Sequence, residues 1–599
     1  MSPAAPARSH HPHRREWTLV AAMTALGLLI RIWGLGKLGL VHFDEGIYAI
    51  AGLWPLRPGG LDPIAVPYAP PGFPFLIGLF YLVFGPSDAA AILVSIIAGT
   101  LAVPVSAWLA RRTFGPGAGA TASALAALSG FHVAFSRMAL TDATFTLAWL
   151  LGLIAAQRFL EKPNPATAVL LGLATGLAQL VKYSGWTVGI AVMLTAAAIT
   201  ILDPSRRTTA DQRRVWGWGL LAAVVAAIVY APWYRFVETH GGYAGLMAHH
   251  RGYMGTPASW LPHWALQIEQ ASVLSGGFSW NLAAVVAAAV GIWIVGAGEP
   301  TNGESEGPRS GRMRGDRRRI EDSAPDALPN PVAPSSGPSG HLPPRGGKAV
   351  IPLLVLGAAT VVAPTTLWWI GLALAAFAWR DASPGLRLLA VAWVGLSVLT
   401  PFYHPYARLW LPIQALGWIA VAGIVGELIR PAEAPRWRTP FVLACCVAAV
   451  VQTFLMGPLF GKVGDRAGLL APSDSLRTST SRALADLPEA APGLRVLARP
   501  PVSFYIGGRA AARVEPDVEG LLRVPGGAWA LVDAAQLRQS GDVDGLVARL
   551  SQGWERVGEY PTSLNLPTQL DVDPGAAARP RPREADAPLW LFRPRPGVR

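Results

Sequence analysis

Charge is what this sequence has least of. Asp, Glu, Lys and Arg together make up 15% of its 599 residues, against roughly a quarter in a soluble domain. That deficit excludes an ordinary soluble protein. The 52% hydrophobic content is drawn into long apolar runs, which indicates a chain that crosses a bilayer many times. Acidic residues are scarcer than basic ones, and the formal net charge is +13. The excess does not read as a nucleic-acid surface, because the basic residues fall in short clusters between apolar runs, as in loops kept on the cytoplasmic side. Cysteine is nearly absent. The two that occur, Cys445 and Cys446, are neighbours inside one apolar run, which excludes a disulfide framework between distant segments and a thiolate metal site. No internal repeat is evident, so the inverted-repeat signature of many secondary transporters is missing. What the chain has in abundance is tryptophan, 23 residues, many at the ends of apolar runs (Trp17, Trp54, Trp186, Trp233, Trp368), where an aromatic belt sits at the membrane interface.

The basic start (Arg8, Arg14, Arg15), followed by apolar residues from Trp17, resembles a signal peptide. No small-residue cleavage site follows, so the segment Trp17–Leu35 is expected to remain as the first span. The run Pro71–Gly85 is only marginally long and opens on Pro70-Pro71-Gly72, so it is read as interfacial or re-entrant, with Ala89–Ala110 as the second span. This choice puts Arg111-Arg112, Arg158, Lys162 and the cluster Arg206–Arg214 all inside, whereas counting Pro71–Gly85 as a span inverts every one. Further spans fall near 118–136, 142–160, 166–183, 186–202, 215–234 and 280–298. Residues 299–348, rich in Pro, Gly, Ser and Arg, are expected to form a disordered cytoplasmic linker. Two short spans near 349–363 and 366–379 are preferred to one, since a single span leaves Arg430, Arg436 and Arg438 outside. Spans at 386–402, 409–429 and 439–458 bring the count to about thirteen. From about Gly461 short alternating stretches appear (Leu494–Ala498, Val502–Ile506, Trp529–Val532, Leu589–Phe592), with a polar helical pattern over Gly541–Gln552. The expected fold is therefore an all-α polytopic membrane protein with a small α/β C-terminal domain outside the membrane. Its parts are a cytoplasmic tail 1–16, a membrane module 17–298 with a large outer loop 36–88, the linker 299–348, further spans 349–460 and the outer domain 461–599.

With that topology the ionisable residues of the outer face become candidates. His42-Phe43-Asp44-Glu45 follows the first span; two adjacent carboxylates at a membrane surface raise one another's pKa and suit proton abstraction, although solvated loop carboxylates look the same. Asp142 opens the fourth span within Arg137-Met138-Ala139-Leu140-Thr141-Asp142. It reads either as a used ionisable group or as a helix cap. Lys182 near the outer end of the fifth span, and Arg408 in His404-Pro405-Tyr406-Ala407-Arg408-Leu409, are placed to clamp a lipid phosphate or simply to snorkel to headgroups. The outer loop 235–279 carries His240, His249, His250, Arg251 and His263, and neutral imidazoles, His249 and His250 first, are candidate ligands for a divalent metal.

The order of these elements resembles the GT-C class of membrane glycosyltransferases, in particular the protein O-mannosyltransferase and aminoarabinose (lipid A) transferase families. The resemblance rests on Asp44-Glu45 after the first span, Pro70-Pro71 before a run ending Phe84-Gly85, Thr141-Asp142, the stretch Gly176–Gly185, Ala231-Pro232-Trp233-Tyr234, and Arg408-Leu409-Trp410-Leu411-Pro412. What it implies is an inverting transfer of a monosaccharide from a polyprenyl-phosphate donor to a protein, lipid or glycan acceptor, on the outer face of the cytoplasmic (inner) membrane. Asp44 would be the base, Glu45 and Asp142 its supports, and Arg408 with Lys182 would hold the lipid phosphate. The aminoarabinose transferases carry an acidic residue and a Lys where this chain has Tyr68-Ala69-Pro70-Pro71, which departs from their metal-holding pattern. The competing reading is a lipid flippase or secondary transporter. Transport calls for polar groups at mid-membrane and pseudo-symmetric halves, whereas the ionisable residues here gather at one face beside a soluble domain.

Overall fold

The computed structural model describes residues 11–56, 69–202, 209–275, 383–429, 468–489, 491, 493–507, 512–523, 527–539, 543–572 and 587–595. The expected linker 299–348, the expected spans at 280–298, 349–363, 366–379 and 439–458, and the pair Cys445-Cys446 lie outside the described residues.

The apolar runs form helices: α1 His11–Ile32, α2 Phe43–Ala51, α3 Gly72–Phe84, α4 Asp88–Phe114, α5 Ala118–Leu128, α6 Gly130–Ser136, α7 Thr141–Glu161, α8 Pro165–Val181, α9 Thr187–Leu202, α10 Thr209–Thr239, α11 Gly242–Arg251, α12 Trp260–Ser275, α13 Pro384–Leu399 and α14 Leu411–Ile429. Among the described residues, six helices are long and apolar enough to cross a membrane, or seven if α5 and α6, bent by 58°, count as one span. The bend falls at Ser129, whose hydroxyl caps α6 by accepting from the His132 N–H. Local signals set other boundaries. Ser87 caps α4 through the Ala90 N–H. Asn164 caps α8 with Pro165 in the first turn, where its missing N–H is no loss.

Ion pairs fix the direction of the helices. Glu16 at the start of α1 pairs with Arg111 at the end of α4 and accepts from the Gly117 and Gly119 N–H groups at the start of α5. Arg112 pairs with Glu161 at the end of α7. The ends carrying Arg111, Arg112 and Glu161 thus share one face. At the opposite face two buried guanidiniums close helix ends whose last carbonyls are orphaned and partly negative. Arg31 donates to the Ala126 and Ala127 carbonyls of α5, and Arg137 donates to the Ile30 and Arg31 carbonyls of α1 and to the Trp33 carbonyl just beyond it. Helix α3 begins and ends at that opposite face. Its first residue, Gly72, lies against the Leu180 carbonyl at the far end of α8, and its last leads through Ser87 to Asp88 on that same face.

The C-terminal region holds helices α15 Ser475–Ala485, α16 Pro500–Ile506, α17 Val518–Leu522, α18 Ala534–Gln539, α19 Val543–Gly553 and α20 Leu566–Val572. Between them run strands β1 Leu494–Leu497, β2 Ala512–Val514, β3 Trp529–Asp533, β4 Trp554–Tyr560 and β5 Leu589–Pro594. The sheet order is β2-β1-β3-β5-β4. Strand β1 is parallel to β2 and β3, and β5 is antiparallel to β3 and β4, with Leu531 opposite Leu591. Alternation along the strands buries both faces. Val496, Leu531 and Leu591 meet α15 and α16 on one side, and Leu497, Val532 and Phe592 meet α18 and α19 on the other. One expected alternating stretch is corrected: Val502–Ile506 is helical, because Pro500-Pro501 presets the first helical turn and removes the N–H a central strand needs.

This region is fastened to the loop that follows α1. Val41 packs into the core around Leu476 and Val496, the Ser473 N–H donates to the Lys37 carbonyl, the Leu40 N–H to the Tyr505 hydroxyl, and Arg477 pairs with Asp88. The docking brings α20 over the start of α2.

Candidate functional site

Helix α2 begins with a capping box. The His42 Nδ1 accepts from the Asp44 N–H at 3.0 Å, and the Glu45 carboxylate reaches back to the His42 N–H at 2.9 Å. Glu45 also accepts from the Val41 N–H at 2.8 Å and, through its other oxygen, from the Ala139 N–H at 2.7 Å. It is fully buried. Burial raises its pKa while the three backbone donors pull the other way, and the net direction is up. Glu45 therefore ties the start of α2 to the loop that leads into α7, and its neighbour Asp44 is left to face outward from the helix end.

What Asp44 faces is Arg408. The guanidinium Nη1 lies 2.8 Å from the Asp44 Oδ2 and 3.9 Å from the Asp142 Oδ2. Asp142 does not cap α7, whose cap position is Leu140 and has no side-chain bond; its Oδ1 takes the Lys182 ammonium at 2.5 Å. Lys182 stands at the C-terminal cap of α8 and Arg408 in a 3-10 turn, Ala407–Trp410, that leads into α14. Four residues from four chain segments thus form one cluster: Asp44, Asp142, Lys182 and Arg408. Burial pushes the Asp44 carboxyl up, but Arg408 and His42 outweigh it and hold it below the usual aspartate range.

Sequence reasoning missed a fifth member. Asp571, at the end of α20, lies 3.1 Å from the Arg408 Nε and 3.3 Å from the His42 Nε2. The His42 Nδ1 is turned to the Asp44 N–H and its Nε2 faces Asp571. The only local signal was a short helix start: Asn565 caps α20 through the Thr568 N–H, and Leu566 and Leu570 share a buried face.

The loop histidines lie to one side. The Tyr253–Gly255 strip pairs with Phe402–His404 through the Gly255 N–H to Phe402 carbonyl bond and the His404 N–H to Tyr253 carbonyl bond. Against that pairing, His250 Nδ1 contacts the Tyr403 hydroxyl at 2.9 Å, and His249 packs beside Tyr253. Tyr406 underlies Arg408, 4.7 Å from its ring centre. His263 contacts the Pro401 carbonyl, and His240 stacks on Phe236. Among the described residues no group of three or more His, Cys, Asp or Glu side chains is arranged for a metal ion.

Fold and site together define a bundle of apolar helices whose ionisable residues meet under a small α/β domain. A family model described as dolichyl-phosphate-mannose-protein mannosyltransferase matches residues 68–234, the stretch that supplies Asp142 and Lys182. The chain is similar in fold to ArnT from Cupriavidus metallidurans bound to undecaprenyl phosphate, at TM-score 0.52 and 14% identity, covering 95% of this chain and 97% of that one. It is similar also to the Archaeoglobus fulgidus oligosaccharyltransferase in complex with Zn and sulfate, at TM-score 0.52 and 12% identity over 91% of this chain and 72% of that one. A further likeness is to AglB from Archaeoglobus fulgidus with an inhibitory peptide and a dolichol-phosphate, at TM-score 0.50 and 14% identity over 91% and 73%. No curated protein matches the chain.

Proposed function

We propose that the protein is a membrane glycosyltransferase that moves a monosaccharide from a polyprenyl-phosphate donor to an acceptor hydroxyl on the outer face of the cytoplasmic membrane. The observation that carries this is the convergence of Asp44, Asp142, Lys182 and Arg408 at one end of the bundle, beneath the C-terminal domain. Carboxylate and guanidinium side by side are what displacement at an anomeric carbon bearing a phosphate leaving group calls for. The matched mannosyltransferase family model and the lipid phosphates named with the similar structures support the donor class.

In this reading the acceptor oxygen attacks the anomeric carbon, the bond from that carbon to the phosphate oxygen breaks, and the acceptor proton passes to the Asp44 carboxylate. Arg408, supported by Lys182, takes the charge that grows on the leaving phosphate. The configuration inverts in one step. The ion pair has a second use. While Arg408 faces Asp44 alone it lowers the carboxylate's proton affinity; a bound phosphate shares that positive charge and makes Asp44 the stronger base. Glu45 sets the orientation of the α2 start through its three backbone bonds, and Asp142 holds Lys182.

The test is sugar release from a panel of polyprenyl-phosphate monosaccharides by the purified protein in lipid, beside Asp44→Asn. Turnover of a donor by wild type and silence of a folded variant support the reading. If wild type consumes no donor but moves labelled lipid or solute across vesicles, the protein is a transporter instead.

A further inference from the structure

We infer that Asp571 is a donor-site residue: it occupies on Arg408 the anion position that the donor's lipid phosphate takes, so that phosphate binding and Asp571 engagement exclude each other. The inference rests on reading Arg408 as the phosphate clamp.

Three observations lead to it. The first is the geometry of the guanidinium. An arginine grips a phosphate through paired donors along one edge of its fork. The Nη1 of Arg408 is engaged by Asp44 at 2.8 Å, and the Nε is faced by Asp571 at 3.1 Å. An anion arriving at the Nε edge meets Asp571 there.

The second is the quality of the Asp571 contacts. Its side chain is 2% exposed, yet its Oδ2 meets its two partners at long range, the Arg408 Nε at 3.1 Å and the His42 Nε2 at 3.3 Å, and neither contact has the geometry of a strong hydrogen bond. A carboxylate taken out of water needs short bonds to offset its lost hydration. Held by these long contacts, it gives way to an anion that bonds more closely. By contrast Arg499 and Asp533, in the same domain, form a buried pair bonded at 2.6 Å, the kind of contact that stays.

The third is charge and origin. Asp44, Asp142 and Asp571 face two fixed cations, Lys182 and Arg408, and a phosphate adds further negative charge unless one carboxylate leaves. Asp571 comes from α20 of the C-terminal domain, whereas Asp44 and Asp142 start α2 and α7. It withdraws without disturbing the base or its support. Its return to Arg408 after transfer then helps to expel the spent lipid phosphate.

The experiment uses the full-length protein in lipid and two readouts. Binding of bare polyprenyl phosphate and steady-state turnover of the donor are compared for wild type and Asp571→Asn. The affinity for polyprenyl phosphate is expected to rise roughly 5-fold or more, the range of a typical coupling between exclusive states, with donor KM falling and kcat not rising. Hydrogen exchange of residues 566–572 in wild type, with and without polyprenyl phosphate, gives a second readout that needs no variant; exchange is expected to quicken on binding. Unchanged or weaker binding by the variant, or slower exchange in the complex, overturns the inference and leaves Asp571 as a positioning residue for Arg408. A wild type that binds polyprenyl phosphate but turns over no donor sinks the glycosyltransferase reading and leaves Asp571 to be judged on binding alone.

Discussion

The Arg408 Nη1 lies 2.8 Å from the Asp44 Oδ2, joining the start of α2 to a turn 364 residues later. That pair sets the charge state of the proposed base. Burial favours the neutral acid, while Arg408 and His42 favour the carboxylate and prevail. A group whose pKa is lowered in the folded protein is ionised from below its ordinary value upward, so the acid limb of the rate profile should lie below that of a free aspartate. Replacing Arg408 by Gln removes the main cation and leaves the burial, so the limb should move to higher pH, by about one unit or more. Profiles of kcat/KM against pH for wild type and the residual activity of Arg408→Gln decide it. A limb that stays put means that Arg408 does not tune Asp44.

Asp44→Asn keeps the size of the side chain and an oxygen for Arg408, so the fold should survive. General-base help is worth about 10²–10⁴-fold, and turnover should drop by that much with thermal unfolding nearly unchanged. A loss under about tenfold would assign proton acceptance to another group.

Asp142 and Lys182 make a separate test. Asp142 is 2% exposed and Lys182 23%, so Lys182→Met strands a buried carboxylate whose remaining cation, Arg408, is 3.9 Å away. Breaking a buried pair by removing one partner costs about 3–5 kcal/mol, and the partial exposure of Lys182 puts this one toward the lower end. Asp142→Asn in the Lys182→Met background should recover most of the loss. Thermal unfolding of the two single variants and the double variant measures the coupling, and a double variant no more stable than Lys182→Met would show the pair to be incidental.

Much of this arrangement was legible in the chain because it is local. Apolar runs of span length, the Pro70-Pro71 punctuation before α3, and the residues Asp44, Asp142, Lys182 and Arg408 at run ends all leave marks within a few positions. Contacts across the chain leave none. Nothing near residue 571 announces that its carboxylate lies beside Arg408 and His42, since the three meet only after the C-terminal domain docks. Arg31 was hidden for the opposite reason: a cation inside an apolar run reads as a blemish, yet it closes the end of α5. Asp142 looked like a helix cap, and only the nearness of the α8 end shows that Lys182 takes it instead. The span count of about thirteen depends on runs outside the described residues, which contain six or seven candidate spans.

The docking that carries Asp571 to the site depends on one close approach. A Cβ added to Gly46 in α2 would stand 2.2 Å from the Pro501 nitrogen and 2.4 Å from the Pro500 carbonyl carbon, and these backbone atoms of α16 cannot swing aside. Gly46→Ala should therefore push α16 away from α2 and strain the bonds that fasten the domain, Leu40 to Tyr505 and Ser473 to Lys37. Overpacking of this kind typically destabilises by about 1–3 kcal/mol. The control is Gly217→Ala in α10, where an added Cβ meets nothing within 4 Å and a helical Ala is neutral or stabilising by about 0.4–1 kcal/mol. Limited proteolysis between 468 and 595, read with Tm, should show the C-terminal region released sooner in Gly46→Ala than in either wild type or the control. Donor turnover should fall in the same variant, because the domain that covers the cluster no longer seats. Equal proteolysis and equal Tm in the two glycine variants would mean that the α2–α16 contact does not hold the domain, and the weight would shift to the Arg477–Asp88 pair.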